Sequence, residues 1–525
     1  YKRLPNDTDF TVFKATGYQG FNFAYVGNAT QYHTPLDNFA NADPGSLQHH
    51  GDNALALVRA LAAENLDHLP RNEAVFFDVF AKWIISWPIS WTMWLAALAL
   101  GLLIATVLRL IRRGHLQASE MLWGLLAWFL MMVVSALTGI GLSWALRAGG
   151  AFPSVWIAHP RPALIAFWYM GFAWVGIFAA CLRNRAGFWG LWSGVWIWWS
   201  ILSLICAWIL PGISFVFLVP SLAAGVFALP LFLGSQTTGK RMIATIVPLV
   251  MGSVLGVSAI FYLYDSLGRP FLFAFAVLLA LIVSPLSPLL GDLRGRALWA
   301  FPFLALIVSG FSLCTAFVVT PYTRSVQQAM NILYLQDADS GKSQWIVFPN
   351  SGRLPVSFRQ TANFGFTPVK AFHWLNERGY SADAPRLDLP APDLKISLSS
   401  ESAGKRVYHA TMLSQRDAPK EYLLFPPSEL VEAVSIEGTP VPPITDSILR
   451  YTNGWHIYDL VDTAKAGVEV DFTIRGTSPP QIYLMDKSYG LPLEATAILK
   501  SRPPEATPIH DGDGTIVIRR VQLPR

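Results

Sequence analysis

The residues best equipped for chemistry lie near the N-terminus. Tyr32-His33-Thr34-Pro35-Leu36-Asp37 gathers a phenol, an imidazole and a carboxylate into one short polar stretch. A neutral imidazole in a loop can ligate zinc, and a carboxylate close behind can orient that ligand or a neighbouring one. Active-site groups often sit on loops beyond strand ends. The apolar run Phe21-Asn22-Phe23-Ala24-Tyr25-Val26 predicts a buried strand shortly before this loop. The same residues also fit a surface histidine beside an Asx-type turn at Asp37, and the spacing leaves both readings open. His49 and His50 read as helix-surface or packing residues. Asp511-Gly512-Asp513 beside His510 reads as an Asp-Gly turn between strands rather than as a metal site.

The elements that must position these groups follow from patterning. Asp43 or Ser46 is placed to cap a helix running through Leu61, because Leu55, Val58 and Leu61 recur at helical spacing. Beyond that helix the composition changes. Of 525 residues only 14% are charged and 53% are hydrophobic, with 20 Trp and a mean hydropathy of +0.39. Those values exclude disorder and a wholly soluble globule. The expected fold is a polytopic α-helical membrane bundle of about eight spans, preceded by the end of an α/β domain and followed by a β-rich extracytoplasmic domain. The expected boundaries are 1–70 for the first domain, 71–82 for a linker, 83–322 for the bundle and 323–525 for a β-sandwich-like domain.

Short charged or Pro/Gly breaks divide the apolar block into spans at 84–110, 121–146, 163–182, 188–209, 212–233, 242–264, 271–290 and 297–319. Each approaches the ~20 residues that cross a bilayer core. Without a break at Pro211-Gly212, the run from Phe188 to Leu233 would reach roughly 69 Å at 1.5 Å per residue, so a tight hairpin is expected there. Pro220, Pro230, Pro248, Pro285 and Pro288 are candidate kinks. In the C-terminal zone, alternating runs at 406–413, 467–474 and 514–518, each bounded by Pro, Gly or Asp, predict strands of an antiparallel sandwich.

Charge fixes an expected orientation. Between Ile84 and Tyr322 there are 12 basic and 3 acidic residues. Nine of the basic ones fall in the first, third, fifth and seventh loops, and Arg147, Arg161 and Arg269 fall in the others. The positive-inside rule then places the odd loops in the cytoplasm and both soluble zones on the opposite face. Basic residues so distributed are no phosphate-tracking patch, and nucleic acid is not an expected partner. Cys181, Cys206 and Cys314 lie inside apolar runs, so no disulfide framework is expected. The spans carry almost no ionisable residue away from their ends, which disfavours an ion-coupled transporter. The tryptophans clustered at 189–208 fit either an interfacial belt or helix-packing bulk.

The order of four motifs sharpens the reading. Thr8-Asp9-Phe10-Thr11-Val12-Phe13 is followed by Gly20-Phe21-Asn22-Phe23-Ala24. Tyr32-His33-Thr34-Pro35-Leu36-Asp37 comes next, and then Pro44-Gly45-Ser46-Leu47-Gln48-His49-His50-Gly51-Asp52-Asn53. This series resembles the end of a co-catalytic zinc exopeptidase domain (metallopeptidase family 28). Within that family it resembles the membrane-bound branch of endoplasmic reticulum metallopeptidases and vacuolar membrane proteases. The resemblance implies that His33 is a zinc ligand, that the Tyr32 hydroxyl stabilises the oxyanion, that Asp37 gives support behind the ligand, and that Asp9 and Phe10 line the substrate pocket. It also implies a pair of zinc ions and a Glu that takes the proton of a bridging water. Those need an H-x-D motif, a Glu-Glu pair and a further carboxylate upstream of Thr8, and no Glu-Glu pair occurs anywhere in the sequence.

The expected function is therefore a membrane-anchored, zinc-dependent exopeptidase of aminopeptidase type, cleaving peptides on the extracytoplasmic side. Its expected partners are peptide substrates, the lipid bilayer and the upstream part of the same peptidase domain. Tyr1 opens a polar segment with no apolar leader, so the chain is expected to be a C-terminal piece, inactive alone. The alternatives are a polytopic transporter or scaffold with a degenerate peptidase remnant, and a binding protein that kept the fold and lost the zinc. High Trp and Ala with few Cys points to a bacterial inner membrane. In a eukaryote the membrane would be that of the endoplasmic reticulum or vacuole, where the sequons at Asn6 and Asn28 would matter.

Overall fold

The computed structural model describes residues 8–524 apart from 19, 26, 28, 67–72, 81, 155, 229–236, 268–271, 351, 403, 464 and 476–480. Asn6, Asn28, Pro230, Arg269 and the end of the span expected at 212–233 lie outside the described residues. The chain divides into two compact units. One comprises Tyr1–Ala29 and Phe39–Pro321, and the other Thr30–Asn38 and Tyr322–Arg525.

The first unit opens with α1 (Asp9–Ala15) and α2 (Pro44–Ala63). Asp43 caps α2, its carboxylate accepting the Ser46 N–H at 2.6 Å, which satisfies one of the four N–H groups a helix start leaves open. Where a linker at 71–82 and the start of a span at 84 were expected, and ahead of a helix that begins only at Ile89, Ala74–Val79 (β1) and Trp83–Pro88 (β2) form an antiparallel hairpin. Its cause is the alternation Val75-Phe76-Phe77-Asp78, which buries Val75 and Phe77 and exposes their neighbours. Phe77 stacks on Phe215 at 4.5 Å.

The bundle follows as α3 (Ile89–Arg112), α4 (Ala118–Ala148), α5 (Arg161–Ile209), α6 (Phe215–Ala228), α7 (Thr238–Leu267), α8 (Ala274–Val283), α9 (Ser287–Asp292) and α10 (Arg296–Val318). Six of the described helical segments, with α8 and α9 taken together, are long and apolar enough to cross a membrane. The protein is a multi-pass membrane protein. A 3-10 turn at Pro211–Ile213 separates α5 from α6. α5 spans 49 residues but is not one rod, because Gly187 sits at φ 59, ψ −179.

Contacts with α4 show what happens at Gly187. Trp174 donates to Thr138 and Arg185 lies over Trp123, so the first half of α5 runs antiparallel to α4. Gly190 lies against Glu120, and Trp198 donates to the Leu125 carbonyl and stacks on Trp128, so the second half runs parallel to α4. The chain therefore reverses at Gly187, and α5 is a helical hairpin.

Lipid tails are as apolar as leucine, so helices in a bilayer associate through close packing and hydrogen bonds rather than through hydrophobic driving force. Both are present. A Cβ on Gly124 would overlap the carbonyl of Gly190, and one on Gly194 would overlap Gly124. Trp189, Trp192, Trp196 and Trp199 are buried in the same cluster, so these tryptophans are packing bulk, whereas Trp208 is exposed. Trp192 donates its indole N–H to the Ala244 carbonyl at 3.2 Å, and Trp128 donates to Ser284 at 3.1 Å, whereas the buried Trp196 indole N–H has no partner among the described residues.

The second unit is a two-sheet domain. In chain order its strands are β3 (Gln328–Asp337), β4 (Ser343–Pro349), β5 (Val369–Lys370), β6 (Arg378–Asp383), β7 (Asp393–Ser402), β8 (Lys405–Leu413), β9 (Lys420–Phe425), β10 (Leu430–Ile436), β11 (Thr439–Pro440), β12 (His456–Val461), β13 (Val468–Arg475), β14 (Gln481–Tyr489), β15 (Ala506–Thr507) and β16 (Gly514–Gln522). One sheet has the order β11-β10-β13-β8-β7, and the other β12-β9-β14-β16-β3-β4-β6-β5 with β15 beside β3. Tyr408, Phe472, Phe425 and Leu484 fill the space between them. The larger sheet is mixed rather than antiparallel throughout, because β16 and β15 pair with β3 in parallel. Nearly the whole domain lies between β3 and β16, so no hairpin forces them to be antiparallel. The far face of this sheet is covered too, with Phe358 and Ile498 packed on Tyr334 and Val347. That explains the nearly unbroken burial along β4.

The glycine contact supplies a test. Gly190→Leu is expected to destabilise the detergent-solubilised protein by more than the ~1–3 kcal/mol of ordinary overpacking, since backbone must move, and so to lower its thermal midpoint. Gly101→Leu, with nothing near the added side chain, is expected to leave the midpoint unchanged. Equal midpoints for the two variants contradict the close contact.

Candidate functional site

Thr34 organises the loop that carries Tyr32, His33 and Asp37. Its hydroxyl donates to the Gln31 carbonyl at 2.7 Å and accepts the Leu36 N–H at 3.1 Å. Its carbonyl accepts the Asp37 N–H at 2.9 Å. His33 takes φ 59, a left-handed conformation that histidine adopts more readily than branched residues do. The His33 N–H points at Asp37 Oδ2 across 3.4 Å, so the carboxylate steadies the backbone of the histidine. The Tyr32 ring stacks on the His33 ring at 3.7 Å, and both side chains are exposed.

Thr30–Asn38 belongs to the β-rich unit, and the contact responsible is His510. Its N–H donates to the His33 carbonyl at 2.9 Å, and its ring meets the His33 ring edge-on at 4.4 Å. The turn bearing His510 is firmly held. Ile509 exchanges two hydrogen bonds with the Asn331 side chain, at 2.8 and 3.1 Å. Asp513 accepts the Ile332 N–H at 2.8 Å and pairs with Arg502, and Asp511 pairs with Lys420 and Lys487. Both aspartates serve the turn. Burial, with His33 beside it, lowers the His510 pKa and favours the neutral imidazole. Nothing in the local sequence around either histidine signals that they meet.

The other expected site residues lie elsewhere. Asp9 and Phe10 are in α1 of the first unit, where the Phe10 ring lies over Gly20. Phe21–Tyr25 form no strand and are exposed, having no partner strand among the described residues. Instead Phe23 and Tyr25 set their rings against His50, at 5.4 and 5.0 Å, and His49 bonds to Asn53. α2 buries none of its residues and leaves Leu47, Leu55 and Val58 exposed. Among the described residues no group of three or more His, Cys, Asp and Glu side chains is placed to hold a metal. His33 offers one ligand, and the described residues do not complete a zinc site.

A second cluster escaped sequence reasoning. Glu421 on β9 and Asp486 on β14 stand opposite each other, at 1% and 0% exposure. Arg416 and Ser414 bond to Asp486, at 2.5 and 2.7 Å. Glu421 accepts one bond from Thr463 at 2.6 Å, and its Oε2 is buried without a partner. The Arg416 guanidinium pairs with Asp486, and no ion pair reaches Glu421 among the described residues. Burial, with Asp486 also contributing, pushes the Glu421 pKa up. Glu421 borders a cavity of about 160 Å³ shared with Ser414, Asp417, Asp462 and Lys465. The sign available in the sequence was an acidic residue at an inward position of the run Lys420-Glu421-Tyr422-Leu423-Leu424-Phe425.

Comparison with known proteins agrees with the motif reading. Residues 1–58 match the model of peptidase family M28. The chain is 33% identical over 93 residues to a putative endoplasmic reticulum metallopeptidase 1-A of Caenorhabditis elegans, covering 17% of this chain and 10% of that protein. It is 32% identical over 90 residues to endoplasmic reticulum metallopeptidase 1 of Homo sapiens, covering 16% and 10%. It is 31% identical over 84 residues to a vacuolar membrane protease of Eremothecium gossypii, covering 16% and 8%. These alignments span a tenth or less of each relative's length. The chain is similar to the membrane-bound branch of family M28.

Glu421 sets a pH-dependent test. Its raised pKa means that the fold favours the neutral acid. That contribution is complete below the ordinary glutamate value and is lost as pH rises through the folded-state value. Glu421→Gln is therefore expected to raise the unfolding midpoint of the β-rich unit at pH 7 by a few degrees, at about 2–4 °C per kcal/mol for a domain of this size. The gain should vanish near pH 4. A gain independent of pH would mean that the charge of Glu421 costs the fold nothing.

Proposed function

We propose that this chain forms part of a membrane-anchored, zinc-dependent exopeptidase of aminopeptidase type, acting on peptides outside the cytoplasm. The observation that carries the proposal is the Tyr32–Asp37 turn. It holds an exposed imidazole on a hydrogen-bonded loop and lies within the stretch similar to family M28.

In this reading His33 is one ligand of a zinc centre, of two ions as the family resemblance implies, whose other ligands the described residues do not supply. Bound zinc would polarise the scissile carbonyl and activate water. The chain's own residues have narrower roles. The Tyr32 hydroxyl donates to the oxyanion that forms on the peptide carbonyl, and Asp37 keeps the His33 backbone in place. The exposed apolar side chains Phe21, Phe23, Leu47, Leu55 and Val58 form a surface that soluble monomers seldom leave open. The upstream part of the peptidase domain would cover it, with Asp9 and Phe10 facing the substrate pocket. His510 brings the β-rich unit to the edge of His33. A wall so close to the ligand suits an enzyme that admits only a peptide terminus.

The bundle is inferred to cross the membrane eight times. The reversal at Gly187 makes two crossings of α5, and α6 supplies another. Odd loops then face the cytoplasm, since they hold nine of the 12 basic residues.

The test uses the native protein purified from its own membranes. His33→Ala is expected to lose bound zinc and peptide hydrolysis together, with its helical and β content unchanged by circular dichroism. Asp37→Asn, which loosens a support, is expected to cost roughly 10–100-fold in zinc affinity or activity. Full zinc content and full activity in His33→Ala would sink the assignment.

A further inference from the structure

The bundle carries a cavity that anchoring does not explain. About 620 Å³ of space lies between α5 and α10, bordered by Ile177, Trp299, Ala300, Phe303 and Leu306, with Gly295 and Arg296 at one end. The two helices run antiparallel here: Ser309 donates to the Ala166 carbonyl, and Pro302 packs on Gly176. Gly295 to Leu306 covers about 16 Å of helix at 1.5 Å per residue. Trp299, Phe303 and Leu306 face outward, toward hydrocarbon in a helix that crosses a bilayer.

The charged end differs sharply from this apolar trough. Arg296 forms no ion pair among the described residues, with Asp292 or any other carboxylate. Arg294 stands beside it, and Arg183 is drawn into the same corner because its guanidinium donates to the Leu293 carbonyl. Three arginines against Asp292 leave a local excess of positive charge. α10 also begins here, and no side chain caps its first N–H groups; those groups favour an anion.

We propose that this trough is a binding site for one anionic phospholipid. An acyl chain would lie along Trp299, Phe303, Leu306 and Ile177, and the phosphate would meet Arg296 and the start of α10. Trp299 sits where an indole suits the boundary between headgroup and hydrocarbon. Basic corners between membrane helices recognise anionic headgroups in this way. The charge selects the lipid, because a zwitterionic headgroup brings its own cation to a corner already rich in them.

Native mass spectrometry of the detergent-solubilised protein tests the proposal, with phosphatidylglycerol or phosphatidylcholine added at equal concentration. Retention of phosphatidylglycerol is expected to exceed that of phosphatidylcholine. Arg296→Gln should reduce the preference about fivefold, the effect of one cation near a membrane surface. Ala300→Phe, which fills the trough, should abolish retention of both lipids while leaving the arginines in place. Equal retention of the two lipids, an undiminished preference in Arg296→Gln, or a second copy of the chain occupying this face would each overturn it.

Discussion

No backbone group can turn to water inside a bilayer, and that constraint shapes most of this molecule. It forces the described spans α3 to α10 into helices, whose hydrogen bonds are internal. It also removes the usual reason for helices to associate. What remains is contact, and contact is closest where Gly124, Gly190 and Gly194 let α4 and the second half of α5 touch backbone to backbone. The reversal at Gly187 makes that pairing possible, since it returns the chain to α4 in the opposite direction. Around this seam the large indoles of Trp192, Trp196 and Trp199 fill the remaining volume, and α7 and α8 close over them.

Much of this was legible in the sequence, and its limits have physical causes. Long apolar runs report helices reliably because burial in lipid permits little else. A glycine that ends one helix and starts another carries no charge and no proline. Arg183 and Arg185 already place a loop between two oppositely directed spans, and the packing of α5 on α4 shows the reversal at Gly187. Where a linker was expected at 71–82, the alternation of buried Val75 and Phe77 is masked in the sequence by apolar Phe76 between them, so the hairpin of 74–88 is not evident there. Phe21–Tyr25 shows the opposite failure. Its composition suits a strand, yet a strand needs a neighbour, and none is present among the described residues. The parallel pairing of β16 with β3 likewise depends on a distant partner that local patterning does not specify.

The candidate site was legible only in its first half. The order of motifs pointed to Tyr32, His33 and Asp37, and the structure places all three on one turn with Thr34 at its centre. The second half, His510, comes from the far end of the chain. Its neighbours Asp511 and Asp513, expected from the sequence to form an Asp-Gly turn, are engaged as anchors of that turn. Their ion pairs with Lys420, Lys487 and Arg502 hold His510 against the His33 loop. The β-rich unit thereby helps to position the residue on which the proposed chemistry turns.

The measurement that tests the account most directly is release of terminal residues from a peptide by the native protein, purified intact from its own membranes. It would be assayed as isolated, after chelation, and after zinc is returned. The account predicts stepwise release that chelation abolishes and zinc restores. Release unaffected by chelation, or none from zinc-loaded protein, would contradict it.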